Sequence, residues 1–200
     1  VQGEPDLFPV FLKLAGRPVL VVGGGAVAAA KVEGLRATGA IITVVAPRID
    51  SAIRQAGVRC LERAFAASDL DGQWLVTAAA TPEVNLAVAQ HAGARGLFVN
   101  AVDDPANASA YLGGVLRRDG VTVAISTNGR APALAGLLRE GFDALLPRDL
   151  TAWFEKADEL RRRWRAAAVP MSARRPLLLE ALIRLYDDKR PLEVVEGERS

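Results

Sequence analysis

The stretch that most restricts this chain is an apolar run, Val19-Leu-Val-Val22, broken by Gly23-x-Gly25-x-x-Ala28 and continued by Ala-rich sequence as far as Thr38-Gly39. Four consecutive aliphatic residues without alternation read as a strand buried on both faces, as in a parallel sheet. The Ala-rich residues 27–37 read as a helix, and a second β-branched run follows at 41–46. Strand, glycine turn, helix and strand in that order is the context of a dinucleotide fingerprint. Gly23 permits the tight turn, and Gly25 lets backbone amides approach a pyrophosphate at the start of the helix, where Ala26 and Val27 stand. Ala28 lets the helix lie close to the strand, and the helix amino end adds partial positive charge. The competing reading is an α/β domain whose glycine-rich turn binds nothing.

The fingerprint usually places an acid at the end of the second strand to hold the ribose hydroxyls. Here that place reads Ala46-Pro47-Arg48-Ile49, with no acid before Asp50. Arg48 is either a solvated loop arginine or a contact for a 2′-phosphate, which would favour NADP. Further strands are expected at 58–63, which alternates, at 74–80, which reads as buried, and at 97–102, with a short helix at 51–56. Thr81-Pro82 reads as N-cap and first residue of a helix over 83–94, which also puts Thr81 where a Rossmann ligand passes.

Asn100, Asp103 and Asp104 follow the last strand, at the end where open α/β sheets bind ligands. A carboxylate pair there can take a proton. Two acids before Pro105 are equally good turn formers, and the residues alone do not choose between Asp103 and Asp104. With a single histidine (His91, on a helix) and a single cysteine (Cys60), no recognisable zinc-type site can be assembled. His91 reads as a surface or packing residue, and Cys60 as a small core residue that fits a reducing compartment.

Half the residues are hydrophobic and the formal net charge is only +2, so nothing argues for nucleic acid. No apolar run approaches the ~18 residues of a membrane span, and the polar, Pro-containing start does not read as a leader. A cytoplasmic protein is expected. Residues 7–14 read as an extended segment beside the sheet. Beyond it, residues 111–117 and 121–125 flank Arg118-Asp119-Gly120 as a hairpin. The polar loop Ser126-Thr-Asn-Gly-Arg-Ala-Pro132 then opens a helix with Leu134, Leu138, Phe142 and Leu145 on one face. Two more helices are expected at 150–168 and 176–186. The first carries Arg161-Arg-Arg-Trp-Arg165, a solvated face with Trp164 turned inward.

Taken together these residues resemble the precorrin-2 dehydrogenase family, the dehydrogenase/ferrochelatase module of siroheme synthesis. The resemblance rests on Phe8-Pro-Val-Phe-Leu12, Val-Val-Gly-Gly-Gly-Ala-Val-Ala-x-x-Lys at 21–31, and Val-Val-Ala-Pro at 44–47. It continues through Ala-Ala-Thr at 79–81, Val-Asn-Ala-Val-Asp at 99–103, Ser-Thr-Asn-Gly-Arg-Ala-Pro-Ala-Leu-Ala at 126–135 and Leu-Leu-Arg-Glu at 137–140. It extends over residues 7–185. The family tends to carry Ala-Pro where other Rossmann dehydrogenases carry the acid, which accounts for the second-strand ending without NADP.

The resemblance implies an α/β protein in three parts. These are a Rossmann NAD-binding domain at 1–112, a dimerisation and substrate segment at 113–147, and a small helical domain at 148–200. It implies oxidation of precorrin-2 to sirohydrochlorin with NAD as acceptor and, in some members, insertion of Fe²⁺ as a second substrate. The methyltransferase of larger members is not in this sequence, so another chain is expected to supply the tetrapyrrole. A homodimer is expected, with no protein-held metal. The family's key aspartate maps onto Asp103 as the catalytic group. The cofactor set is then Gly23, Gly25, Ala26, Val27, Pro47, Arg48 and Thr81. Asn100, Ser126, Thr127, Asn128 and Arg130 are expected at the substrate, with Arg117, Arg118 and Arg139 as further partners for its carboxylates. A rival of another class is an NAD(H)-sensing module without chemistry. A short-chain dehydrogenase is set aside because Tyr111 is followed by Leu-Gly-Gly-Val and not by Tyr-x-x-x-Lys.

Overall fold

The structure, a computed structural model, describes residues 6–187. The chain divides into two compact units. The first runs to Gly114 and takes in Ile125–Gly136; the second holds Val115–Ala124 and the chain from Leu137 onward.

The first unit is built on five parallel strands: β1 (Pro18–Val22), β2 (Ile41–Val45), β3 (Arg59–Leu61), β4 (Leu75–Ala78) and β5 (Phe98–Ala101). Their order is β3-β2-β1-β4-β5, so the winding reverses between β1 and β4. Three helices connect them: α1 (Ala26–Arg36), α2 (Ser51–Gln55) and α3 (Pro82–Gly93). The side chains of β1 alternate between two layers. Val19 and Val21 pack with Ala28, Val32, Leu35 and Ile53 on one side. Leu20 and Val22 pack with Val76, Val88, Ala92 and Val99 on the other. Residues 19–21 have no exposed area, as a strand covered on both faces requires. Burying each contributes about 1.5–3 kcal/mol, which is why this run dominates the unit. Cys60 is half-buried against the first layer.

Two expectations change here. Residues 7–14 form no regular element, and Phe8 and Phe11 are 87% and 73% exposed; Leu14 alone joins the core. Both faces of the central strands are already covered, so the segment has no face of the sheet left to pack on. The fourth strand begins at Leu75, and Trp74 before it stays half-exposed beneath the Arg17 guanidinium, 3.9 Å from its ring centre.

In the second unit, β6 (Gly114–Arg118) and β7 (Val121–Ile125) pair as a two-stranded sheet, each with its Gly114 or Ile125 end belonging to the first unit. Asp119 and Gly120 make the turn, both at positive φ, as hairpin turns favour. Helices α4 (Pro132–Leu145), α5 (Leu150–Ala166) and α6 (Met171–Asp187) complete the chain, α4 starting in the first unit. Arg118 bridges β6 to the end of α4, donating to Asp143 Oδ1 at 2.5 Å and to the Leu146 carbonyl at 2.8 Å. On α5, Arg162 and Arg163 face Asp158 and Glu159 one turn earlier, and Trp164 is half-buried. α6 begins at Met171 rather than Pro176: Arg174 reaches back to the Val169 carbonyl at 2.8 Å and fixes the first turn, leaving Pro176 inside the helix. Among the described residues no helix is long and apolar enough to cross a membrane.

Candidate functional site

The glycine turn leaves β1 at the point where the strand order reverses, the place at which doubly wound sheets take their ligands. Gly23 has φ +130, and a side chain on it would lie 2.1 Å from the Ala79 carbonyl oxygen at the end of the neighbouring strand. Gly24, which the fingerprint leaves unspecified, is tighter still. A Cβ there would lie 1.9 Å from the Arg48 carbonyl oxygen, and the Gly24 carbonyl accepts from the Asp50 amide at 2.8 Å. The turn is therefore clasped by residues 46–50.

Gly25 is different. It is the N-cap of α1, extended, with no side-chain cap, and a Cβ on it would meet nothing within 4 Å. Ala26 and Val27 are exposed, and the first turn of α1 carries no acid. Uncapped amides, a helix amino end and open space above a glycine suit a phosphate group. These residues fit a dinucleotide.

Around this turn, Pro47 and Arg48 are exposed. Asp50, the nearest acid after β2, caps α2 by accepting from the Ala52 amide at 2.8 Å, so its carboxylate is already engaged. Thr81 occupies the N-cap position of α3 but makes no side-chain cap. Its hydroxyl goes to Glu83, whose carboxyl is held below the usual range by its own backbone amide and then by Thr81. Asn85 serves this strand end instead: it is buried, and its Oδ1 accepts from the Ala80 amide at 3.0 Å.

A cavity of about 320 Å³ opens beyond the carboxyl end of β5, lined by residues 100–105, 111–114, 126–127, Gly129, the start of α4, and Lys31 of α1. All of these belong to the first unit. Asp103 is exposed and held at φ +56, a conformation that Asp and Asn tolerate better than other side chains. Asp104 is half-buried and accepts from Asn107 Nδ2 at 2.7 Å, so the two neighbouring acids stand in different circumstances. Asn100 is buried: its Nδ2 donates to the Ala110 carbonyl at 3.0 Å, and its Oδ1 has no partner among the described residues.

The opposite wall is the loop before α4. Ser126 Oγ accepts from the Asn128 amide at 3.1 Å, and Thr127 Oγ1 from the Ala131 amide at 3.2 Å, with Asn128 at φ +53. Gly129 allows that loop to close on the Pro105 and Tyr111 side chains, which a Cβ would approach to 3.1 and 3.2 Å. Tyr111 in turn donates to the Pro105 carbonyl at 3.2 Å.

The cavity thus gathers Asn100, Asp103, Ser126 and Thr127. It does not include Asn128 or Arg130, or any of Arg117, Arg118 and Arg139. Arg118 is engaged with Asp143, and Arg139 faces Glu140. Lys31 and Tyr111 line it without having been singled out as site residues. The signal for Lys31 was present: it follows buried Ala28 by one helical turn, on the side of α1 that meets the sheet. His91 is exposed and lies near Phe65, ring centres 6.5 Å apart. Among the described residues no three His, Cys, Asp or Glu side chains are grouped to hold a metal.

Comparison with known proteins places the chain among siroheme-synthesis proteins. A family described as "Putative NAD(P)-binding" matches residues 10–114, and one described as sirohaem biosynthesis protein central matches residues 118–143. A protein named siroheme synthase 3 from Aeromonas hydrophila is 42% identical over 175 residues, covering 85% of this chain and 37% of its own length. Siroheme synthase 1 from Aeromonas salmonicida is 43% identical over 175 residues with the same coverage. The chain therefore spans a little over a third of the length of these relatives. Among solved structures, that of SirC, a precorrin-2 dehydrogenase, superposes with a TM-score of 0.68 at 27% identity, covering 87% of this chain and 88% of that one.

Proposed function

Because this chain belongs to the precorrin-2 dehydrogenase family, the NAD(P)-binding module of siroheme synthases, we propose that it oxidises precorrin-2 to sirohydrochlorin with NAD as acceptor. The observation that carries the reading is Asp103: an exposed carboxylate in a left-handed backbone, beyond the carboxyl end of β5, in a cavity with Asn100, Ser126 and Thr127. The amides at Gly25, Ala26 and Val27 hold the pyrophosphate, and Pro47, Arg48 and Thr81 flank the nucleotide. NAD, when bound, supplies the hydride acceptor. Oxidation of the reduced macrocycle releases a hydride and a proton, and the Asp103 carboxylate takes the proton. Asn100 and the loop carrying Ser126, Thr127 and Asn128 orient the ring, with Arg130 reaching its outer carboxylates.

Two further points belong to this proposal. Leu134, Leu138, Phe142 and Leu145 on α4 are all at least 42% exposed, an apolar face suited to a second copy in a homodimer. The lone half-buried Cys60 fits a reducing cytoplasm.

The test is an anaerobic assay with precorrin-2 and NAD, following NADH and sirohydrochlorin absorbance, repeated with NADP and with sirohydrochlorin plus Fe²⁺. NAD-dependent turnover is expected, and the iron arm reads ferrochelatase activity separately. NAD binding with no turnover of verified precorrin-2 would overturn the reading.

A further inference from the structure

The cavity around Asp103 is short of positive charge for the substrate proposed. Its lining includes two carboxylates, Asp103 and Asp104, and the only cation among the lining residues is Lys31. None of the arginines expected to meet substrate carboxylates lines it. Lys31 is half-buried, and it makes no hydrogen bond or ion pair with any described residue. A half-buried lysine keeps its stem against the protein and its charge in water, so an ammonium with no protein partner is available to an anionic group entering the cavity. Side chains on a helix lean toward its amino end. That direction carries Lys31 toward the carboxyl ends of the strands and the Asp103 loop.

We propose that Lys31 is a substrate-binding residue that pairs with a carboxylate arm of the tetrapyrrole, an inference that rests on the dehydrogenase reading above. The carboxylates of Asp103 and Asp104 repel a polyanionic substrate, and Lys31 offsets that repulsion at the place where the proton acceptor stands. An ammonium on a flexible stem suits a mobile acetate or propionate arm, whereas a guanidinium fork would demand one fixed bidentate geometry. The glycine turn is not part of the cavity lining, so NAD affinity serves as the control for a Lys31 variant.

The experiment compares wild type, Lys31→Met and Lys31→Arg. Sirohydrochlorin binding is titrated by absorbance without cofactor, NAD binding is measured by calorimetry, and KM for precorrin-2 comes from the anaerobic assay. Loss of one charge-assisted contact is expected to weaken sirohydrochlorin binding in Lys31→Met about tenfold. KM should rise in step, with NAD affinity unchanged and most of the loss restored in Lys31→Arg. Added salt should weaken wild type more steeply than Lys31→Met. Wild-type sirohydrochlorin affinity in Lys31→Met, or a loss of NAD affinity in its place, would overturn the assignment while turnover by wild type left the dehydrogenase reading standing. Wild-type protein that neither binds sirohydrochlorin nor turns over precorrin-2 would overturn both.

Discussion

Replacing Gly24 by alanine tests how the nucleotide turn is held. The added methyl would sit 1.9 Å from the Arg48 carbonyl oxygen and 2.9 Å from Ala46 Cβ, so backbone rather than a flexible side chain must yield. Residues 46–50 would have to retreat by more than an ångström, breaking the 2.8 Å bond from the Asp50 amide to the Gly24 carbonyl and loosening buried Ile49. Overpacking of this kind costs about 1–3 kcal/mol, and the lost hydrogen bond about 0.5–1.5 kcal/mol more. For a protein of this size a combined cost of about 1.5–4.5 kcal/mol lowers Tm by roughly 3–18 °C. Gly25→Ala is the matched control. Its φ of −91° suits alanine and its Cβ meets nothing, so the stability change should stay near the ~1 kcal/mol or less of a poorer N-cap. That same Cβ, however, fills the space above the α1 amides, and NAD affinity should fall at least about tenfold. Thermal melts by circular dichroism and calorimetric NAD titrations separate the two effects. A Gly24→Ala protein melting within about 2 °C of wild type would refute the clasp. Full NAD affinity in Gly25→Ala would refute the phosphate site.

Three other substitutions follow from the same geometry. Asp103→Asn keeps a residue that tolerates φ +56 and should lower kcat about 10²–10⁴-fold with melting and NAD affinity unchanged; a kcat within tenfold of wild type would remove Asp103 as proton acceptor. The Asp69 carboxyl, 7% exposed, is held below its usual range by the Arg63 guanidinium and then by the Ala66 amide. A depressed folded value means its contribution is present above the unfolded value of about 3.8 and fades as pH falls through the lower folded one. Asp69→Asn should thus cost about 1–2 kcal/mol in urea unfolding at neutral pH, with the gap to wild type closing in strong acid; an unchanging gap would refute this. Asn85→Ala strands the Ala80 amide at the end of β4 and should cost about 1–3 kcal/mol; a loss below about 0.5 kcal/mol would show that water replaces the amide.

What the sequence disclosed depended on whether the physics was local. The parallel sheet was legible because β1 has no polar residue to place on either face, and α1 and α3 announce themselves by composition and by Pro82. Gly23 and Gly25 were legible because the fingerprint assigns them. Gly24 was not, since its partner, the Arg48 carbonyl, comes from a segment 24 positions away that only folding brings near. Tyr111 is illegible for the same reason, as a cavity lined from four separate stretches has no sequence pattern, whereas the helical spacing from Ala28 marks the side of α1 on which Lys31 stands. Pro176 suggests the first turn of α6, while Arg174 bonding back to Val169 accompanies a start at Met171. Residues 7–14 read as an extended segment beside the sheet, yet they form no regular element, and Phe8 and Phe11 stay exposed while Leu14 joins the core.

The division of the chain bears on how such a module can be cut and recombined. Residues 115–124 leave the first unit and return to it at Ile125, whose carbonyl Gly113 approaches so closely that a Cβ would lie 1.9 Å away. The nucleotide turn lies upstream of that excursion, whereas Ser126, Thr127 and Gly129 lie downstream of it. A fragment ending at Gly114 would retain every residue of the glycine turn and lose one wall of the Asp103 cavity. The glycine turn is thus written in one continuous passage of the gene, and the Asp103 cavity in an interrupted one. Truncation or domain exchange at this point keeps the turn whole far more readily than it carries the cavity along.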